Sequence, residues 1–277
     1  MEAFIVEEAA LVDLKIVLVG VGGSACNTIT YLQKELLASI DFIALNTNLE
    51  SLENYDEIKS ALCGADIVFI ALELNEEIGI GASLIIARIA QKIGALTISI
   101  IIDFNFEDSI QVGIDEIKQE SDSVIMIKNN KFLQVVNGIS GLVSSSGEND
   151  INLDLADLKI IMGHKAKFRI GMGTDVGNNS AYEAVQFALS SLSIESTSIG
   201  SVNGVLVHFY INSSFPIMDI ADSMDLVNES VNSEIPVLFG TTTEKNLPTD
   251  YVKVIIILTE FEEPCNKRMN NTSYRPL

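Results

Sequence analysis

The chain has 277 residues, 48% of them hydrophobic, which is enough for one large core or two modest ones, and two domains are favoured. Its 17 Lys and Arg against 38 Asp and Glu give a formal net charge of −21, so we expect neither nucleic acid nor an anionic membrane as a partner. The three cysteines form no CxxC pair, which argues against a zinc site and favours a reducing compartment. The acidic N-terminus is unlike a targeting peptide, and no apolar run approaches the roughly 20 residues of a membrane span. We therefore expect a soluble, cytoplasmic protein without direct membrane insertion.

The first half of the chain alternates strand patterns with helix patterns and shows no hairpin signal. This alternation predicts an α/β domain built on a doubly wound, Rossmann-like parallel sheet. Apolar runs and helical spacing place the elements in this order: strand 15–19, a helix reaching Leu37, strand 41–45, helix 55–63, strand 67–70, helix 84–92, strand 97–102, helix 107–119 and strand 123–127.

The second half reads as a separate domain. A helix over 131–143 ends in the loop signal Ser144-Ser145-Ser146-Gly147, so we place a domain boundary near residue 148. Beyond it, helices over 155–162, 180–192 and 217–232 and strands over 168–172, 202–211, 237–240 and 251–258 predict an α+β fold. The predicted organisation is an extension over 1–14, the α/β domain with a short central helix over 15–147, the α+β domain over 148–262 and a polar tail over 263–277.

Two strand-to-helix turns are candidate phosphate sites. The first is Gly20-Val21-Gly22-Gly23; its glycines favour a nucleotide role about as strongly as they favour tight packing of a helix on a strand. The second, over 71–83, contains Glu76 and Glu77. Each carboxylate would cost roughly 1 kcal/mol beside a triphosphate in water, and more where water is excluded. The second turn has the position of a nucleotide loop without its chemistry.

Six short motifs follow one another along the chain in the same order as in the FtsZ family, and through them the chain resembles that family. Its members are tubulin homologues that polymerise into the bacterial division ring. The motifs are Gly20-Val21-Gly22-Gly23 with Asn27, Asn46-Thr47-Asn48, the strand 65–71, Phe104-Asn105-Phe106-Glu107, Asn129-Asn130-Lys131-Phe132-Leu133 and Asn152-Leu153-Asp154-Leu155-Ala156-Asp157. The resemblance implies a site for GTP or GDP that we expect to be vestigial in this chain. Its residues would be Gly20, Gly22, Gly23, Asn27, Asn46, Gly79, Gly81 and Asn130.

The chain departs from the family pattern at the nucleotide site. The signature GGGTGTG aligns with residues 75–81, where only Gly79 and Gly81 remain and both threonines have become isoleucine. Only seventeen residues separate Thr47 from Ala65, too few for the family's glycine-rich loop that senses the terminal phosphate. Only twenty-one separate Asn130 from Asn152, too few for the extra helix and the start of the long central helix that hold the guanine base in the family, so we expect those base contacts to be missing. We therefore expect no bound cofactor.

The acid loop, residues 152–157, matches the family pattern completely. In the family it belongs to the lower face of one subunit and touches the nucleotide on the upper face of the next. The resemblance thus implies that Asp154 and Asp157 act in trans as catalytic acids, and that Asn152, Asp154 and Asp157 contact a partner. A simpler interpretation is that both aspartates cap and solvate the following helix, because acids favour its positive end.

Three functions remain open at this point. The first is a non-hydrolysing relative that docks its acid loop on FtsZ or another division-ring protein at the division site, with weak self-association. The second is a divergent GTPase that polymerises alone. The third, a dinucleotide-dependent oxidoreductase, is weakest because the first turn lacks GxGxxG spacing. The loop chemistry favours the first, and His164 and His208, which lack triad or metal spacing, are predicted to be structural.

Overall fold

The structure is a computed structural model, and it describes residues 14–32, 39–45, 55–74, 77–102, 108–128, 131–144, 150–163, 167–192 and 202–260. Its first part alternates strand and helix, as the sequence predicts. The elements are β1 (Ile16–Val21), α1 (Gly23–Leu32), β2 (Ile40–Leu45), α2 (Tyr55–Leu62), β3 (Ile67–Glu73), α3 (Glu77–Lys92), β4 (Leu96–Ile102), α4 (Asp108–Glu120) and β5 (Ser123–Ile127).

The five strands form the first sheet, which is parallel throughout and has the order β2-β1-β3-β4-β5. Both faces of this sheet carry a buried hydrophobic cluster. Because each strand is covered on both sides, β1 and β4 are continuous buried apolar runs rather than alternating ones. The doubly wound parallel fold is confirmed.

A central helix, α5 (Phe132–Val143), joins this sheet to the second part of the chain. All its residues from Val135 to Val143 are buried. A Cβ added at Gly138 would lie 3.1 Å from Ile255 Cγ2, and one at Gly141 would lie 2.7 Å from His208 Cε1. The two glycines therefore let the helix pack closely against the second sheet, while its apolar side chains share one core with the first sheet. Twelve residues make a helix of only about 18 Å.

The second part has the predicted α+β architecture. Its elements are α6 (Leu155–Met162), β6 (Lys167–Val176), α7 (Ser180–Ser191), β7 (Val202–Ile211), α8 (Ile217–Ser230), β8 (Val237–Thr243) and β9 (Tyr251–Glu260). The second sheet has the order β6-β9-β7-β8, with β9 antiparallel to β6 and β7 and with β7 parallel to β8. Helices α7 and α8 share a separate core with its outer face.

Several predicted boundaries are wrong. β3 continues through Glu73 instead of ending at Ile70, because its parallel ladder with β4 runs on to the pair Glu73 and Ile102. α3 begins at Glu77, seven residues before the predicted start, so Gly79 and Gly81 lie in a helix and not in a turn. β6 extends to Val176 because β9 pairs with it along its whole length.

Other expectations fall outside the described residues or remain predictions. The extension over 1–13, the end of the helix predicted to reach Leu37, His164, Cys265 and the tail lie outside them. Cys26 and Cys63 are free thiols. Within the described ranges, no helix is long and apolar enough to cross a membrane, and no three His, Cys, Asp or Glu side chains cluster as a metal site would require. The predicted domain boundary stays a prediction.

Candidate functional site

A small crevice opens at the carboxyl end of the first sheet. In the order 2-1-3-4-5 the chain reverses direction across the sheet between β1 and β3, and such a switch point is where open α/β sheets bind ligands. The crevice has a cavity volume of about 20 Å³, room for about one water molecule and far below the roughly 300–1,000 Å³ of most ligand pockets. Its described lining residues are Val21, Gly22, Gly23, Ser24, Ala25, Glu73 and Gly79.

The glycines of the first turn have different structural roles. Gly22 has φ +89°, a conformation that glycine adopts readily, and its N–H donates to the Leu45 carbonyl at 3.0 Å. A Cβ on Gly20 would lie 2.6 Å from Ile29 Cδ1 and 3.3 Å from the Cys26 Cα. Gly20 therefore serves the packing of α1 on β1, and Gly22 serves the turn between them.

The other two candidate residues of this turn face open space. A Cβ added at Gly23 would meet no described atom within 4 Å, and Asn27 is exposed on α1. Nothing in the packing of the described residues requires glycine at position 23. The open space beside Gly23 would let another group approach its backbone closely.

Glu73 lies across the crevice from the start of α1. Its carboxylate Oε1 accepts a hydrogen bond of 2.5 Å from the hydroxyl of Ser24, the second residue of that helix. α1 has no acidic residue of its own in its first turn. The Glu73 side chain thus lies beside the first turn of a helix, where unpaired N–H groups and partial positive charge favour an anion. The chain itself thus supplies a negative charge to the crevice.

Glu73 and Ser24 are not among the residues that the sequence pattern singles out. The pattern assigns the charge that would repel phosphate to Glu76 and Glu77, because it ends the strand at Ile70. The signal that was available is the unbroken apolar run 67–72, which is long enough to carry β3 beside β1 as far as the pairs Gly20 with Ala71 and Val21 with Leu72.

The far wall of the crevice is formed by α3. A Cβ on Gly79 would lie 3.8 Å from the Glu73 carbonyl oxygen, an ordinary contact, and one on Gly81 would meet no described atom within 4 Å. Neither glycine is required by the packing observed here. The side chain of Glu77 is not described. Asn46, Glu76 and Asn130, which the sequence places at or beside the nucleotide site, lie outside the described part of the chain, as does the whole motif 104–107.

The acid loop lies at the opposite end of the first sheet. Asp154 is the N-cap of α6, and its Oδ1 accepts from the Ala156 N–H at 2.9 Å, so the capping role is present. Asp157 is exposed in the first turn of α6. Asn152 is half-buried, and its Oδ1 is buried without a hydrogen-bond partner among the described residues. The loop therefore presents two exposed carboxylates beside one partly buried amide.

Hydrogen bonds to two elements, α5 and β8, hold residues 150–153 at the start of the acid loop. The Leu153 N–H donates to the Leu142 carbonyl of α5 at 2.7 Å. Ile151 and Thr241 of β8 exchange two bonds of 2.9 Å, one through the Thr241 hydroxyl. The Asp150 carboxylate accepts from the backbone N–H of Thr243 at 2.7 Å. The loop is thus anchored to the central helix and to the second sheet.

Helix α6 is hydrogen-bonded to the amino-terminal ends of the strands of the first sheet. The Lys159 ammonium donates to the Gly94 carbonyl, just before β4, at 2.9 Å, and the Ser123 hydroxyl at the start of β5 donates to the Met162 carbonyl. Since all strands of this sheet are parallel, their amino ends lie opposite the crevice. The chain therefore carries the crevice and the acid loop on opposite faces, which we call the upper and the lower face.

Comparison with known proteins identifies the family. Residues 166–262 match the FtsZ family, C-terminal domain. The cell division protein FtsZ of Helicobacter pylori strain J99 is 30% identical to the chain, over 94% of it and 83% of that relative. The FtsZ of strain 26695 is also 30% identical, over 93% of this chain and 82% of its own length. The chain belongs to the FtsZ family. Its sequence resemblance to that family of cell-division proteins is confirmed.

Solved structures support the FtsZ fold over nearly the whole chain. A single-residue mutant of FtsZ from M. jannaschii has a TM-score of 0.76 and 24% identity, covering 90% of this chain and 92% of that one. CetZ1 from Haloferax volcanii, described as a GDP-bound monomer, has a TM-score of 0.64 and 11% identity, covering 88% and 94%. The tubulin/FtsZ-type fold is thereby confirmed, whereas the roles assigned to single residues stay predictions.

This FtsZ-family chain also holds a buried polar cluster where β7 faces α5. His208 is 1% exposed, and its Nε2 lies 2.9 Å from the Thr242 hydroxyl. Burial, helped by the charge of Lys253, lowers the pKa of His208 to about 3, so the ring is neutral. Lys253 in turn lies 4.6 Å above the Tyr210 ring, and burial lowers the pKa of that ammonium. The environment of His208 fits the structural role predicted for it.

Proposed function

We propose that this chain is an FtsZ-family division protein that does not use GTP itself and acts by protein contact. It docks its acid loop on the nucleotide-bearing face of an FtsZ subunit and so caps one end of a filament. The observation that carries the proposal is the hydrogen bond between Ser24 and Glu73, which holds a carboxylate beside the start of α1 in the crevice of the upper face.

Electrostatics argues against a triphosphate beside that carboxylate. Two unit negative charges about 4 Å apart repel by about 1 kcal/mol in water and by about 4 kcal/mol near a protein surface. A triphosphate carries several such charges, and it would also displace the Glu73 carboxylate from Ser24 and the start of α1. In CetZ1 the same fold is described as GDP-bound; here the described residues of the crevice do not fit a phosphate chain.

The lower face supports the other half of the proposal. Asp154 and Asp157 are exposed, and the loop that carries them is held by backbone bonds to α5 and β8, so their positions are set before any partner binds. Placed over the GTP of a partner subunit, carboxylates at these positions would orient an attacking water. The next FtsZ subunit, arriving at the upper face of the docked chain, would meet Glu73 instead of a nucleotide. Growth would therefore stop at that end.

The test mixes the purified chain with FtsZ and GTP and follows two readouts, sedimented polymer and phosphate release. The informative variant carries Asp154→Asn with Asp157→Asn, which removes two charges but keeps a capping side chain. Its matched control carries Asp56→Asn with Glu57→Gln, two exposed acids in the first turn of α2.

We expect the parent and the α2 control to reduce sedimented FtsZ at substoichiometric ratios, and the acid-loop variant to lose most of this effect. Hydrolysis at the capped joint should fall more than binding does in the acid-loop variant. If an equimolar amount of the parent leaves both polymer and turnover unchanged, capping is wrong. If the acid-loop variant caps filaments and supports GTP hydrolysis as well as the parent does, the acid loop has been given the wrong role.

A further inference from the structure

We infer that Glu73 is an internal anion: its carboxylate takes the place of a bound phosphate at the start of α1, stabilises the upper face and keeps phosphate out of it. This deepens the proposed function, on which it rests in one respect, that the crevice of the parent holds no nucleotide. In this inference Glu73 has two roles. Its carboxylate keeps phosphate out of the crevice, and it stabilises the fold in the absence of a bound ligand.

The contact joins parts of the chain that are far apart in sequence. Ser24 and Glu73 are 49 positions apart, and their hydrogen bond ties the last residue of β3 to the first turn of α1. A bond between a hydroxyl and an ionised carboxylate is stronger than one between neutral groups. The helix offers its unpaired first N–H groups and no acid of its own at the same place. The carboxylate therefore serves α1 as a bound anion would.

The walls of the crevice are built from small residues. Gly22 makes the turn with φ +89°, and Gly23 faces open space. Gly79 lies on the opposite wall, where even an added Cβ would only reach ordinary contact with the Glu73 carbonyl. Among the described lining residues, Glu73 alone carries a charge. Truncating this side chain would leave a crevice whose described walls are open and uncharged beside a helix N-terminus, an environment that favours an anion.

A plain structural hydrogen bond predicts something different. If only the bond mattered, Glu73→Gln would preserve most of the stability, since an amide oxygen also accepts from Ser24, and phosphate anions would have no effect on any variant. If the negative charge matters, Glu73→Gln loses stability and an added anion restores it. The response to an anion therefore separates the two roles.

The experiment measures Tm for the full chain as the parent, Glu73→Gln and Glu73→Ala, each with and without about 10 mM sodium pyrophosphate against sodium chloride of equal ionic strength. Glu57→Gln is the matched control, because it neutralises an exposed acid in the first turn of α2, away from the crevice. Ser24→Ala keeps the charge of Glu73 and removes only its hydroxyl partner.

We expect both Glu73 variants to melt about 3–6 °C below the parent and to regain about half of that loss in pyrophosphate. The parent, Ser24→Ala and Glu57→Gln should shift by less than about 1 °C on adding pyrophosphate. If Glu73→Ala does not fold, Glu73→Gln alone decides the question.

Two failures are distinguishable. GTP binding by the parent, seen in the same assay as a rise in Tm, would overturn the proposed function. A parent that ignores GTP, together with Glu73 variants that ignore pyrophosphate or melt with the parent, would overturn this inference and leave the proposed function standing.

Discussion

The Ser24 hydroxyl donates a hydrogen bond of 2.5 Å to the Glu73 carboxylate, across the switch point of the first sheet. The bond brings a negative charge to the positive end of α1, at the place where open α/β sheets bind ligands. On the opposite face, Asp154 and Asp157 stand exposed on a loop anchored by backbone hydrogen bonds. The upper face therefore holds a carboxylate that is hydrogen-bonded within its crevice, whereas the lower face presents two exposed carboxylates.

The glycines around the crevice give a first prediction. Gly81→Ala should stabilise the chain by about 0.5–1 kcal/mol, because the position is helical, has no described neighbour in the way, and alanine is the better helix former. Gly20→Ala should destabilise it by about 1–3 kcal/mol, since the new Cβ would press on Ile29 and on the backbone of Cys26. Urea unfolding followed by circular dichroism measures both. A marked loss of stability in Gly81→Ala would contradict this prediction.

The cap of α6 gives a second prediction. Asp154→Ala should lower the free energy of unfolding by about 1 kcal/mol, whereas Asp154→Asn should be nearly neutral, because asparagine caps a helix about as well as aspartate. Asp157→Asn, which removes only a charge from the first turn, should cost a few tenths of a kcal/mol. Thermal unfolding of the three variants checks the order. Equal stability of Asp154→Ala and Asp154→Asn would mean that the observed cap contributes nothing.

A third prediction concerns the pH dependence of stability. The pKa of His208 is lowered from its ordinary 6.5 to about 3, mainly by burial, so between these pH values the unfolded chain binds a proton that the folded chain does not. The stability from this residue is therefore present above about pH 6.5 and falls as the pH drops toward 3, by about 1.4 kcal/mol per pH unit.

The control for this prediction is His208→Gln, which keeps a polar group near Thr242 and removes the titration. Its free energy of unfolding is measured in urea from pH 7 down to pH 4. The slope against pH should be smaller than that of the parent by the equivalent of about one proton taken up on unfolding. The acidic side chains are common to both proteins, so the difference isolates His208. Identical slopes would show that His208 is not the buried neutral group described above.

The fourth prediction is that the chain does not form long polymers of itself. In a stack of identical copies, the Asp154 and Asp157 carboxylates of one copy would approach Glu73 of the next, and screening over about 8 Å at physiological salt leaves such close repulsion in place. Negative-stain electron microscopy with GTP and Mg²⁺ should show no filaments. Filaments of the parent, with or without nucleotide, would contradict it.

The sequence predicted those features whose cause is local. The bounds of α6 and β7 and the capping of α6 by Asp154 follow from burial periodicity and from residue types a few positions apart. The end of β3 could not be predicted in this way, because it depends on the ladder that β3 forms with β4. The contact between Ser24 and Glu73 could not be predicted either, because it depends on the register of the folded sheet. Glu76 is not among the described residues and the side chain of Glu77 is not described, so the role predicted for these two glutamates stays a prediction.

The most direct test of the account is isothermal titration of GTP with Mg²⁺ into the purified parent chain. Closure of the upper face by Glu73 predicts no heat beyond dilution. One-to-one binding with a dissociation constant in the low micromolar range, about −8 kcal/mol, would contradict it.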